Sequence, residues 1–276
     1  MTLFRKTTAL LFLLAFLSGS CGSSRPVKAP SLREEADRYT AAFSREMKMG
    51  RYAAALADAE RALAVNTILD RDDRMAVSHN NLGAIQERMG MFQEAEASFM
   101  KAVSLAKKSG NGPILGVAVN NLAASKLHTD VSAAQDLASQ ARRLGDEGSW
   151  PGIQARAVHV LARAALKQGA IDQSRDLCEE GLSLLGESGD RSARAAILIT
   201  RGRAEAASGD YVKAIKFAAK ALAIDRDLED PYAIAQDHAR LAEIYQMSGN
   251  TAKAADSREK AGKIFKILGV GEVNQH

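Results

Sequence analysis

Arginine and asparagine, not nucleophiles, are the side chains in this sequence whose type and spacing point to chemistry. Asn80-Asn81 and Asn120-Asn121 are doublets about 40 residues apart. An asparagine amide offers a donor and an acceptor together, so it can hold the backbone of an extended peptide. Arg156 and Arg163 are seven residues apart and therefore share one face of a helix. A guanidinium forks onto a carboxylate through two parallel hydrogen bonds, which suits acidic side chains or a free C-terminus. Enzymatic constellations are missing by contrast. There is no phosphate-cradling glycine loop and no nucleophile elbow, and no histidine pair stands at metal-binding spacing with a carboxylate on one helix face. Neither catalysis nor a metal or cofactor is expected.

The elements that position these groups begin after a segment of another kind. Arg5 and Lys6 precede an unbroken apolar run from Ala9 to Leu17, then Ser18-Gly19-Ser20 and Cys21. The run is about half the ~20 residues a spanning helix needs, so residues 1–20 read as a signal peptide. Gly22-Ser23-Ser24 and the two prolines up to Pro30 read as a tether, giving a 21–32 linker. The small residues before Cys21 resemble the lipobox of bacterial lipoproteins, with Ser18 where that family prefers Leu. That resemblance implies a lipidated Cys21, and Gly22 implies outer-membrane sorting with the chain facing the periplasm. A secreted or periplasmic form is the alternative. Two or more acyl chains make membrane anchoring stable.

The formal charge of +4 includes Arg5 and Lys6, and residues 1–20 carry no acid, so the chain from Cys21 keeps half of it. That balance, with no basic run, gives no reason to expect nucleic-acid binding. Aromatics are 5%, prolines number five, and alanines cluster, as in Ala53-Ala54-Ala55. Propensity therefore favours an all-helical chain. With Cys21 committed to lipid, Cys178 stands alone on an apolar helix face and reads as a buried thiol.

A fixed period organises the rest. Gly50, Gly90, Gly169, Gly209 and Gly249 recur at multiples of about 40 residues, with Asp130 in the missing place. Glycine tolerates the left-handed backbone that ends a helix. Small residues follow in register at Ala55, Ala95, Ala134, Ser174, Ala214 and Ala254, and again at Ala62, Ala102, Ala141, Gly181, Ala221 and Ala261. Small residues at matched places let paired helices approach closely. The last helix carries Lys253, Lys260, Lys263 and Lys266 and reads as a polar cap.

Asn81-Leu82-Gly83, Gly90-Met91-Phe92, Ala95, Phe99 and Ala102 together resemble the tetratricopeptide repeat family. The period is longer than that family's usual one and closer to its long-helix members, such as kinesin light chains. The resemblance implies an all-α, right-handed superhelical solenoid of about six antiparallel helix pairs over residues 33–268, with a 269–276 tail. The expected repeats are 36–68, 76–108, 116–144, 155–185, 195–228 and 235–268. The third and fourth are the irregular copies.

In that family the first helix of each pair lines a concave surface that binds peptides. By place, the resemblance assigns this surface to Asn80, Asn81, Asn120, Asn121, Arg156, His159, Arg163, Arg203, Arg240 and Glu243. It implies a groove polar with asparagine at one end and basic at the other, suited to acidic protein or peptide segments. The same residues also suit a plain solvated face, with the asparagines bracing turns. His79 and His238 fall on inward faces and read as core histidines. Trp150 suits a loop anchor for a partner and packing over the junction of repeats three and four equally well. The expected function is a membrane-tethered, non-enzymatic interaction scaffold for an envelope assembly. A peptide-binding regulator that changes curvature is the principal alternative, and an enzyme subunit with its active site in a partner is a distant third.

Overall fold

The structure is a computed structural model and describes residues 30–187 and 189–271. The signal segment, Cys21, most of the 21–32 tether and most of the 269–276 tail lie outside the described residues. The unit from Ser31 onward is treated by itself.

Its described residues form twelve helices and no strand. They make six pairs: α1 (Leu32–Lys48) with α2 (Tyr52–Ile68), α3 (Asp72–Arg88) with α4 (Phe92–Ser109), and α5 (Gly112–Lys126) with α6 (Val131–Gly148). The rest are α7 (Pro151–Lys167) with α8 (Ile171–Leu185), α9 (Arg191–Ala207) with α10 (Tyr211–Leu228), and α11 (Pro231–Met247) with α12 (Thr251–Leu268). The first helix of every pair starts four residues ahead of the bound read from the apolar repeat. In the third, fifth and sixth pairs that extra turn is fixed by a side-chain cap. Asn111, Asp190 and Asp230 accept hydrogen bonds from the N–H groups left open at the starts of α5, α9 and α11. Pro113, Pro151 and Pro231 sit in the first turns, where no N–H bond is lost.

The recurring glycines take φ between +69° and +87° at the turn inside each pair. Asp130 does not share that role. Its backbone is extended, with φ −149°, and its side chain accepts from Ala133 N at 2.9 Å to cap α6. The third pair thus turns without a left-handed residue, after a first helix of only 15 residues.

The small-residue register is the packing rule of the fold. Ala55, Ala95, Ala134, Ser174, Ala214 and Ala254 are completely buried. A β-carbon on Gly83 would stand 2.5 Å from the Phe99 ring, and one on Gly202 would stand 3.0 Å from the Ala214 carbonyl oxygen. A side chain at either position would force the partner helix or its Phe99 ring to shift, because that helix already fills the space. Trp150 lies at the start of α7 with its ring against Gly112 and Gly148, within 2.6 Å of where their β-carbons would stand. Of its two readings, the structure selects packing at the junction of repeats three and four. Cys178 is fully buried and unpaired, and burial pushes its thiol up to about 12.

The two ends of the solenoid meet. Tyr52, Leu82 and Ile85 of the first two pairs share one buried cluster with Tyr232, Ala261 and Phe265 of the last. The Tyr232 ring is edge-on to Tyr52 at 6.1 Å and to Phe265 at 5.9 Å. Arg88 closes on Asp230 at 3.2 Å across 142 residues of sequence, and its guanidinium lies 4.8 Å from the Tyr232 ring centre. Edge-on aromatic pairs contribute ~0.5–1.5 kcal/mol each, and a half-buried ion pair about 1 kcal/mol, so these contacts are worth a few kcal/mol in all. The terminal helix therefore differs from a plain polar cap. Arg258 faces solvent, while Ala261 and Phe265 are buried against the other end of the chain.

Candidate functional site

The inner face of the solenoid encloses a cavity of about 360 Å³. It is lined mainly by the first helices of pairs two to six, because the second helices form the outer layer. Pockets of this size take small ligands or the side chains of a short segment.

One wall is basic. His159 and Arg163 of α7, Arg203 of α9 and Arg240 of α11 line it. His159 Nε2 lies 2.8 Å from Thr200 Oγ1, which ties α7 to α9. Burial, reinforced by Arg163, drives His159 down to about 3, so the imidazole is neutral at ordinary pH. Burial and then Arg240 and Arg163 pull Arg203 down to about 10. Arg163 is lowered by burial as well, against the opposing pull of Glu87. Arg240 donates to Glu243 at 2.7 Å. Neither Arg163 nor Arg203 makes an ion pair or hydrogen bond among the described residues.

Acidic groups line the cavity too. Glu87 of α3 stands beside Arg88, with Asp225 from the end of α10, Asp230 at the cap of α11, and Tyr232 and Asp237 of α11. Asp225 and Asp237 are 5% and 3% exposed and share a hydrogen bond. Burial and the neighbouring Asp225 raise Asp237 to about 9, and burial raises Asp225 to about 6. At neutral pH the pair holds a proton between its two carboxyls.

Five of the residues assigned by sequence line this cavity: Asn121, His159, Arg163, Arg203 and Arg240. Asn80 joins them indirectly, since Asn121 Nδ2 donates to Asn80 Oδ1 at 3.0 Å between α5 and α3. Asn81 is half-buried on α3 outside the lining. Asn120 is a correction: it is 6% exposed, packed within the layer and away from the groove. Successive residues are ~100° apart around a helix, so a doublet sends only one member inward to the cavity. Arg156 lies outside the lining as well, exposed and ion-paired to Asp190 at the start of α9. Glu243 is exposed and serves Arg240. Sequence reasoning missed Glu87, Arg88, Asp225, Tyr232 and Asp237. Asp230 is missed as well. Among the described residues no group of His, Cys, Asp or Glu is arranged to hold a metal ion, and no helix is long and apolar enough to cross a membrane.

Paired helices repeating around a concave, charged groove define a helical-repeat protein of the interaction class. The tetratricopeptide repeat profile matches residues 39–108 and 154–227, just over half of the sequence, and the chain belongs to that family. A search of curated protein sequences gives no match. Among solved structures, the apo form of RapI is similar at TM-score 0.70 and 13% identity, over 88% of each chain. The Rap conjugation gene regulator of plasmid pLS20, in complex with the Phr* peptide, is similar at TM-score 0.68 and 12% identity, over 92% of this chain and 81% of that one. BtubC from P. vanneervenii is similar at TM-score 0.53 and 16% identity, over 90% and 96%. At these identities the likeness is one of fold.

Proposed function

We propose that this protein is a non-enzymatic binding module that holds an acidic segment of a partner protein or peptide in its concave groove. One observation carries the reading: Arg163 and Arg203 line the cavity, and neither makes an ion pair or hydrogen bond among the described residues. These two half-buried guanidinium groups are disfavoured by desolvation and by neighbouring arginines, only partly offset by Glu87 and Glu243, and a ligand carboxylate relieves that through forked hydrogen bonds. Asn121 and Asn80 supply amides for a peptide backbone beside them. The pLS20 regulator, similar in fold, was solved with a peptide bound, and that supports a peptide as the ligand here.

The N-terminal sequence extends the proposal to location. Lipidated at Cys21, the module would be anchored to the outer membrane facing the periplasm and would support an envelope assembly. Incorporation of labelled lipid tests the anchor, and continued labelling of the Cys21→Ser variant would sink it. Crosslinked co-purification from membranes tests the scaffold. A stable envelope partner is expected with the wild type and lost when Arg163 and Arg203 are both changed to Glu. Retention of the same partner by that variant would move the contact to another face. A peptide-responsive regulator is the second reading, favoured by the contact between the two ends of the solenoid.

A further inference from the structure

The meeting of the two ends has a counterpart in the turn glycines. Gly90, Gly169, Gly209 and Gly249 are exposed, with nothing near the position of a β-carbon. Gly50 occupies the equivalent turn of the first pair and is buried. The Leu268 side chain from the end of α12 lies 2.3 Å from where its β-carbon would be, and Pro231 lies 3.6 Å away. Beside it Lys48 Nζ is 3.8 Å from Glu229. The turn of the first pair thus seats against the link between α10 and α11 and the end of α12.

We infer that this contact is a latch that gates the groove, which rests on reading the groove as the binding face. Every other neighbouring pair around the solenoid is joined by chain and packed along whole helices. The junction of first and last pairs is held by side chains alone, so it is the place where the solenoid opens without unfolding a repeat. Arg88, Asp230 and Tyr232 belong to the latch and also line the cavity. A ligand that spans from the Arg163 and Arg203 wall to α11 therefore touches the latch directly. It gains contacts in the closed form that the open form lacks, and so favours closure. Entry of a segment longer than the cavity requires opening first. Closure and binding are then coupled, and each strengthens the other.

The test reads closure in the full-length chain by zero-length carbodiimide crosslinking. The Lys48–Glu229 amide reports the latch. The Lys126–Glu96 pair, 2.6 Å apart between α5 and α4, is the internal standard. The Arg88→Met variant removes the ion pair and leaves Asp230 to cap α11. Gly50→Ala and Gly90→Ala impose the same left-handed strain, with φ +69° and +78°, but only the first meets Leu268. The Lys48–Glu229 yield, normalised to the standard, is expected to fall several-fold in Arg88→Met and Gly50→Ala and to hold in Gly90→Ala. The radius of gyration from small-angle scattering is expected to rise in the same two variants. Unchanged yields in both would overturn the latch, and an equal fall in Gly90→Ala would reduce it to backbone strain.

A hexapeptide with alternating Glu and Ala then probes the gating. It is expected to raise the wild-type crosslink yield, and to bind and leave pre-crosslinked protein at least tenfold more slowly. Binding to the wild type without either effect would overturn the gating and leave the groove reading intact. No binding to the wild type would overturn both the acidic-ligand reading and the gating, with closure still judged on the variants.

Discussion

Two groups of arginines in neighbouring repeats are treated in opposite ways. Arg175 and Arg201, between α8 and α9, converge on Glu205, which is 2% exposed, at 2.8 and 2.9 Å. Asp172, Glu179 and the Arg175 carbonyl oxygen take up further donors, while the buried Arg175 Nε is left without a hydrogen bond. Arg163 of α7 and Arg203 of α9 line the groove without such partners among the described residues. The first group is paired to carboxylates and holds two repeats together. The second keeps its donors free of any ion pair or hydrogen bond among the described residues at a concave surface, which is the arrangement a binding site needs.

Breaking the carboxylate-paired group is expected to have the largest effect. Glu205→Ala leaves two guanidinium groups without their buried carboxylate, and removal of one partner of such a set costs ~3–5 kcal/mol. Urea unfolding is expected to report a loss of that order, with peptide affinity preserved in the folded fraction. A loss below about 1 kcal/mol would erase the contrast between the two groups.

The histidine of the open wall gives the next effect, through pH. His159 is held near 3 in the folded chain and titrates near 6.5 when unfolded. Below pH 6.5 the unfolded chain binds the proton and the folded chain does not, so stability is present above that pH and is lost as pH falls toward 3. His128, lowered to about 4 by burial, adds to the same limb. His159→Gln is expected to flatten part of this acid limb by a few kcal/mol in pH-resolved melts. An unaltered limb would mean that His159 is not buried neutral.

Asp237 has the opposite sign. Its folded carboxyl stays protonated up to about 9, while the unfolded one releases its proton near 4. Its contribution is therefore full at low pH and is lost as pH rises through 9. Asp237→Asn mimics the protonated group, so it is expected to remove the alkaline decline while changing stability at pH 5 by about 1 kcal/mol or less. A steeper alkaline decline in the variant would contradict the shared proton. Smallest is Asn121→Ala, which breaks the amide bond to Asn80. About 1 kcal/mol of stability is expected to go, along with a modest loss of peptide affinity. Affinity rising on this change would place the amides outside the ligand path.

Most of the fold was legible because the repeat is written in small residues and turn glycines, and the buried alanines from Ala55 to Ala254 are where that register places them. Asp130 misled because side-chain spacing does not distinguish a left-handed helix end from an N-cap. The site was legible on one wall only. Arg163 and Arg203 recur in register, so periodicity found them. Asn120 was included because a doublet in sequence looks like one surface, although helix geometry turns its members to different sides. Glu87, Asp225 and Asp237 lie on helix faces that carry no repeated signal. The Arg88–Asp230 contact depends on where a whole turn of solenoid ends, which no local pattern encodes.

The open arginines are tested most directly by calorimetric titration of the alternating Glu–Ala hexapeptide into the wild type and the Arg163→Glu/Arg203→Glu double variant. Micromolar binding is expected for the wild type. A loss of at least a hundredfold is expected for the variant, about 2.7 kcal/mol, with its melting temperature little changed. Equal binding by both proteins, or none by the wild type, would contradict the assignment of the groove to an acidic ligand.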